Sequence, residues 1–193
     1  METTARKKEI RTQIRQARKA MDRAQWQDKS HEICDCLRGL EVYQSADVVY
    51  GYLAKDGEVC LDALIETAWQ DGKKVAVPKV LGTSMEFYEL TDLDQVEIGC
   101  MGIREPLSRN IVRGESPLML LPAVALDEEL HRVGYGGGYY DRYLEQHPEM
   151  AKVAVVFEFQ IYPQVPAEPF DIRPDLAVTE ERILYGICAT MGS

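Results

Sequence analysis

The sequence predicts an α/β fold, a mainly parallel sheet with helices on both faces. Two observations point there. Apolar segments rich in Val, Leu and Tyr alternate along the chain with segments whose apolar residues recur at helical spacing. The run PLMLLPAVAL (117–126) is apolar throughout, as an interior parallel strand is.

The elements follow in order. Residues 5–21 read as a helix, with Ile10, Ile14, Ala17 and Met21 on one face and Lys7, Arg11 and Arg15 forming a second row. A second helix is expected over 23–40, with Trp26, Ile33 and Leu37 as its apolar contacts. DVVYGYL (47–53) has the composition of a buried strand. LDALIETAWQDG (61–72) reads as a helix stopped by Gly72. KVAVPKV (74–80) is a strand interrupted by Pro78, and SMEFYEL (84–90) is another. YYDRYLEQ (139–146) reads as a helix, AKVAVVFEF (151–159) as an apolar strand, and LAVTEERILY (176–185) follows a proline-rich stretch.

Composition narrows the function. The 193 residues, 46% hydrophobic, suit one α/β domain over 1–193 with the basic helix 5–21 at its start. No stretch approaches the roughly 18 apolar residues of a membrane span, and METTARKKEI lacks an apolar signal core. A cytoplasmic protein that does not bind membranes is expected. The five cysteines (34, 36, 60, 100, 188) contain no CxxC pair, so free thiols are expected rather than a zinc site or disulfide framework. Residues 1–23 carry eight bases against three acids, a net of +5. With −10 for the whole chain, the remainder carries −15, which would repel nucleic acid. A cationic helix on an acidic body could dock on that body or hold an anionic ligand against it.

The segment LPAVALDEELHRVGYGGGYYDRYL (121–144) carries the chemistry. Gly134, Gly136, Gly137 and Gly138 stand just before the helix that Tyr139 opens. Glycine permits positive φ and close backbone approach, and a helix N-terminus offers free N–H groups to phosphate. No Walker lysine follows, and Tyr139 occupies the place of the last glycine of a dinucleotide fingerprint. By pattern alone, a phosphate cradle and a plain strand-to-helix turn are equally compatible with the glycines. Asp141, in the first helical turn, suits either the helix dipole or a Mg²⁺ beside phosphate. Arg132 could neutralise phosphate charge.

RVGYGGGYYDRYL resembles the signature of the 5-formyltetrahydrofolate cyclo-ligase family. KKEIR (7–11), KDGEV (55–59), GIREP (102–106), LPAVALD (121–127), FEFQ (157–160) and VPAEPFDIRPD (165–175) resemble further family landmarks, in order along nearly the whole chain. The resemblance implies a three-layer α/β/α sandwich. It also implies conversion of 5-formyltetrahydrofolate and ATP to 5,10-methenyltetrahydrofolate, ADP and phosphate, with Mg²⁺ required. Lys7, Lys8 and Arg11 are implied to reach the ATP phosphates, and Arg132 with residues 134–140 (Gly134, Tyr135, Gly136, Gly137, Gly138, Tyr139, Tyr140) to form the nucleotide loop. Asp141 and Asp171 are implied Mg²⁺ ligands, although a turn aspartate is a rival reading for Asp171. Leu53, Glu58 and Met101, with Tyr135 to Tyr139, are implied to contact the folate, and Arg132 and Tyr139 to act in catalysis. A core role for Leu53, Tyr139 and Tyr140, and a plain turn role for Glu58, are the alternatives. The chain departs from some relatives at Gly137, where they carry lysine, and at Met101, where they carry an aromatic. The expected partners are ATP and the folate, with no nucleic acid, and a monomer is expected.

Overall fold

A computed structural model describes residues 2–99, 102–168 and 171–186. Val49 of β1 (Val48–Tyr50) packs into one apolar layer, while Val48 and Tyr50 pack into another on the opposite side. A strand buried on both faces needs cover above and below. The same alternation continues in β2 (Lys74–Leu81), β6 (Pro117–Pro122) and β9 (Ala151–Val155): Val75, Leu118, Leu120 and Val153 face the first layer, Ala76, Met119 and Leu121 the second.

These strands belong to a seven-stranded sheet with the order β12-β11-β9-β6-β1-β2-β3, completed by β3 (Ser84–Glu89), β11 (Leu176–Val178) and β12 (Ile183–Tyr185). The five inner strands run parallel, and each outermost strand is antiparallel to its neighbour. Helices α2 (Arg23–Gly39), α3 (Glu41–Ser45) and α4 (Asp62–Gln70) contribute to the first layer. Helix α5 (Tyr139–Gln146) covers the other face, with Tyr143 and Leu144 against Phe87 and Met85. This is the expected α/β/α sandwich with a mainly parallel sheet. Among the described residues no helix is long and apolar enough to cross a membrane.

Several boundaries differ from the sequence expectation. The strand expected over 47–53 ends at Tyr50, and its tail runs on as irregular chain with Tyr52 and Leu53 buried. Pro78 does not interrupt β2. Its partner on the β3 side is Phe87, whereas β1 pairs only as far as Ala76, so the missing N–H falls where no inner neighbour needs it. The apolar run 117–126 is two strands. β6 stops at Pro122, and β7 (Ala125–Asp127) joins a separate small sheet between β8 (Arg132–Val133) and β10 (Ile161–Tyr162). A hairpin of β4 (Val96–Ile98) and β5 (Arg104–Pro106) adds a third sheet, and β5 lies beside β2.

Helix α1 (Glu2–Ala20) packs on the small sheet, with Ile10 and Ile14 against Val124, Ala125 and Val133. Its inward stripe is Lys7, Ile10, Ile14 and Arg18, each under a tenth exposed. Ala17, expected on the apolar face, is exposed, as is Arg15. The buried stripe is therefore half cationic, which places two charges under α1 and out of bulk solvent.

Candidate active site

Open parallel sheets leave a crevice beyond the carboxyl ends of their strands, where neighbouring connections depart in opposite directions. Here the sequence-order reversal falls between β1 and β6. A cleft of about 1130 Å³ lies there, lined by Tyr52 and Leu53 after β1, Pro122 at the end of β6, and Pro78 and Val80 of β2.

The glycine-rich loop forms one wall. Gly136 and Gly138 have φ of 103° and 64°, conformations that side-chain-bearing residues rarely adopt. Gly138 stands at the N-cap of α5 with no side-chain hydrogen bond to the helix, so the first N–H groups of α5 open on the loop. A Cβ on Gly137 would lie 2.6 Å from the Tyr139 ring. A side chain there requires Tyr139 to move, which is one physical consequence of this chain carrying glycine at the position.

Basic groups converge on that wall from two elements. Arg11 of α1 donates through Nε to the Gly134 carbonyl at 2.8 Å, and its guanidinium lies against Gly136. Lys7, one turn earlier, donates to Glu168 at 2.8 Å and to Asp171 at 3.0 Å. Burial alone would lower the Lys7 pKa, but the two carboxylates outweigh it and the ammonium is raised above its ordinary value. Arg132 on β8 is buried and donates to Asp141 Oδ1 at 2.5 Å. The Ile172 N–H donates to the same oxygen at 3.1 Å, so Asp141 abuts the residue that follows Asp171.

The opposite wall is organised around Glu58. Residues 55–58 make a tight turn in which Glu58 N–H bonds the Lys55 carbonyl and the Glu58 carboxylate accepts from Lys55 N–H at 2.9 Å. Asp56 and Gly57 both have positive φ, and a Cβ on Gly57 would meet Arg18 Cβ at 3.0 Å. Trp26 Nε1 donates to the Glu58 carbonyl at 2.7 Å and ties the turn to α2. Glu58 is 8% exposed, and that burial raises its pKa, opposed by the neighbouring Tyr135 hydroxyl, the Lys55 N–H and the charge of Arg18. Half of Tyr135 faces the open cleft, yet burial of its hydroxyl end and then the Glu58 charge push the phenol above its ordinary value. The Tyr52 hydroxyl is buried without a hydrogen-bond partner.

The cleft thus brings together Lys7, Arg11, Leu53, Glu58, Arg132, Asp141, Asp171 and Gly134 to Tyr140. Lys8 does not line it and is exposed on α1. Met101 lies outside the described residues, as do Cys100 and Cys188. Tyr140 packs toward Phe87, with ring centroids 6.3 Å apart, so it serves both core and cleft. His131 bonds the buried Asp127 within its own loop, a structural role. Arg18, Tyr52, Glu105 and Arg142 were not singled out from the sequence. Arg18 belongs to the basic helix, but the charge row drawn through 7, 11 and 15 passed it by.

The sequence model described as the 5-formyltetrahydrofolate cyclo-ligase family matches residues 3–180. The chain belongs to this family. It is 35% identical to the "Probable 5-formyltetrahydrofolate cyclo-ligase" of Schizosaccharomyces pombe, across 67% of this chain and 72% of that protein. To the 5-formyltetrahydrofolate cyclo-ligase of Escherichia coli K12 it is 30% identical, across 88% of this chain and 98% of the other. The NMR structure of Aquifex aeolicus 5,10-methenyltetrahydrofolate synthetase superposes with a TM-score of 0.83 at 28% identity, covering 97% of this chain and 96% of that one.

In this cyclo-ligase family member, the FEFQ segment has a structural task beside the cleft. Gln160 is fully buried on a short 3-10 turn. Its amide donates to the Ala123 and Val124 carbonyls at 2.9 and 2.8 Å, and its oxygen accepts from Phe157 N–H at 3.1 Å. These bonds hold the bend where the chain leaves β6 for β7. Gln160→Leu keeps volume but strands the Val124 carbonyl and the Phe157 N–H. The expected loss is about 3 kcal/mol, seen as a lower urea midpoint with an unchanged slope.

Proposed function

We propose that this chain converts 5-formyltetrahydrofolate and ATP to 5,10-methenyltetrahydrofolate, ADP and phosphate in the cytoplasm, with Mg²⁺ bound by Asp141 and Asp171. Family membership supports the folate. The observation that carries the nucleotide is the convergence of Lys7, Arg11 and Arg132 on the open N-terminus of α5, in a cleft that also presents Glu58.

The donor set fits the metal. Asp141 and the Asp171 segment adjoin, and Mg²⁺ needs only one or two carboxylates when substrate phosphates and water fill its other positions. The described residues contain no cluster of three or more acidic, His or Cys side chains that could hold a metal by themselves. When bound, the ion supplies positive charge to the phosphate oxygens.

A formamide oxygen is a poor leaving group. Its attack on the γ-phosphorus forms the new O–P bond and releases ADP. Nitrogen 10 then attacks the formyl carbon, forming the C–N bond as phosphate departs and the nitrogen-10 proton passes to solvent. The residues' task is positioning and charge. Lys7 and Arg11 hold phosphate oxygens. Arg132 and Tyr139 stand at the transferring group, where Arg132 exchanges part of its contact with Asp141 for phosphate. Leu53, Glu58 and Tyr135 seat the folate, with Glu58 accepting from pterin N–H groups.

Purified protein mixed with 5-formyltetrahydrofolate, ATP and Mg²⁺ is expected to develop the methenyl absorbance band, and omission of ATP or addition of a chelator removes it. A flat trace from folded protein overturns the reading, and folate binding without turnover would make this a binding protein. Arg11→Ala is expected to raise KM for ATP about tenfold, the worth of a charge-assisted hydrogen bond, with KM for the folate unchanged. Equal changes in both constants would mark α1 as merely structural.

A further inference from the structure

We propose that Glu105 is a second acceptor for the pterin, a binding residue that takes N–H donors of the ring and so selects the pterin end of the substrate. The inference rests on the folate reading above and adds a contact to it.

Glu105 stands on β5, in the seam where the β4–β5 hairpin lies beside β2. It lines the cleft and is 4% exposed. The same side of the cleft is lined by Pro78 and Val80 of β2 and by Met85 of β3, all apolar. Among the described residues its one hydrogen bond is from the Val80 N–H at 3.4 Å, beyond the usual range. Among the same residues no lysine or arginine pairs with it. Arg104, its neighbour in sequence, turns to Asp62 instead, at 3.2 Å. A carboxylate so far out of water needs donors, and one long bond falls short of what its two oxygens can accept.

The place it occupies is kept open for it. A Cβ on Gly99, in the loop that follows β4, would lie 2.2 Å from Glu105 Oε2. Gly99 is not among the glycines of positive φ, so its backbone does not call for glycine. The carboxylate beside it does.

Charge decides what Glu105 meets. A buried anion repels the nucleotide phosphates and the glutamate carboxylates of the folate tail. The remaining partners are the N–H groups of the reduced pterin, on its 2-amino group, nitrogen 3 and nitrogen 8. The Glu58 turn borders the same hairpin. Asp62, four residues after Glu58, holds Arg104, and Lys55 Nζ lies 3.9 Å from the Cβ position of Gly102 between β4 and β5. Two carboxylates from adjoining segments therefore line one cleft and can divide the donors of one ring between them.

The test compares the full chain as wild type, Glu105→Met, Glu105→Gln and Gly99→Ala. Binding of 5-formyltetrahydrofolate is measured by calorimetry with Mg²⁺ and a non-hydrolysable ATP analogue, and stability by urea unfolding. Glu105→Met, which keeps the length of the side chain, is expected to weaken binding about thirtyfold. Its urea midpoint is expected to stay level or rise, because a charge short of partners has left the interior. Glu105→Gln keeps an acceptor oxygen and loses the charge, and is expected to weaken binding only about fivefold. Gly99→Ala pushes the carboxylate from its place, and because Oε2 is the end of a flexible side chain the fold tolerates the methyl while folate binding falls. 5-Formyltetrahydropterin, which lacks the benzoylglutamate tail, is expected to lose the same factor in Glu105→Met as the full folate. KM for ATP stays within about twofold of wild type in all three variants. Wild-type affinity in Glu105→Met overturns the proposal, and so does a loss confined to the tailed substrate. A loss accompanied by a lower urea midpoint, or by failure to fold, makes Glu105 structural and overturns it as well. Any of these in a wild type that forms the methenyl product defeats this inference alone, whereas a wild type that does not bind the folate defeats the functional reading and this inference with it.

Discussion

Asp141→Asn is expected to lower methenyl formation on the order of 10²–10³-fold, the scale of charge stabilisation a metal supplies to a phosphoryl group, while the protein stays folded. The two halves of that expectation have separate causes. Asp141 Oδ1 accepts from both Arg132 and the Ile172 N–H, and an asparagine oxygen can take both bonds. What asparagine lacks is the negative charge that a hard divalent cation selects. The variant therefore loses activity at Mg²⁺ concentrations that saturate wild type, with a melting curve close to that of wild type. Asp141→Ala does more harm to the fold. It leaves Arg132, 6% exposed, as a buried cation whose Nε already lacks a partner, at a cost of about 3 kcal/mol. Wild-type rates in Asp141→Asn would remove Asp141 from the metal site.

The sheet's parallel core was legible because burial on both faces leaves its strands apolar at nearly every position, as in Leu118 to Leu121. The same property hid the break at Pro122, since β7 is as apolar as β6 and hydropathy does not change where the chain switches sheets. What marks the switch is polar and distant in sequence: Arg18 and Gln160 reaching the Ala123 carbonyl. The β4–β5 hairpin was missed because its strands are short and carry charge at Glu97, Arg104 and Glu105.

The site divides in the same way. The glycine cluster and Asp141 are contiguous and keep their order in space. Lys7 and Arg11 were readable as one cationic face, but periodicity alone could not say which row of α1 turns inward. The rule that charges lie outside assigns Arg18 to solvent, and only the carbonyl and phenol waiting beneath it reverse that. Tyr52 sits in the tail of an apolar strand, where a core tyrosine and a ligand-facing one have the same neighbours in sequence.

Lys7→Met is the second large expected effect, about a hundredfold in kcat/KM for ATP, with binding of the folate alone unchanged. Lys7 satisfies Glu168 and Asp171 together, and its side chain is 10% exposed. It therefore stands beside an expected metal ligand, where the proposed function has it meet phosphate. Methionine matches the length of the stem, so Ile10 and Ile14 keep their packing, but Asp171 loses its counter-charge. The raised Lys7 pKa fixes the sign of the pH dependence. A cation whose folded pKa lies above its unfolded value stabilises the protein at all pH below that unfolded value and loses the contribution only as pH rises through the folded one. Across neutral pH, Lys7 stays charged. The ratio of wild-type to Lys7→Met kcat/KM for ATP is then flat from about pH 6 to 9, below the ordinary lysine range. A ratio that instead collapses within that window would show that Lys7 is not the permanent phosphate-facing charge assigned to it.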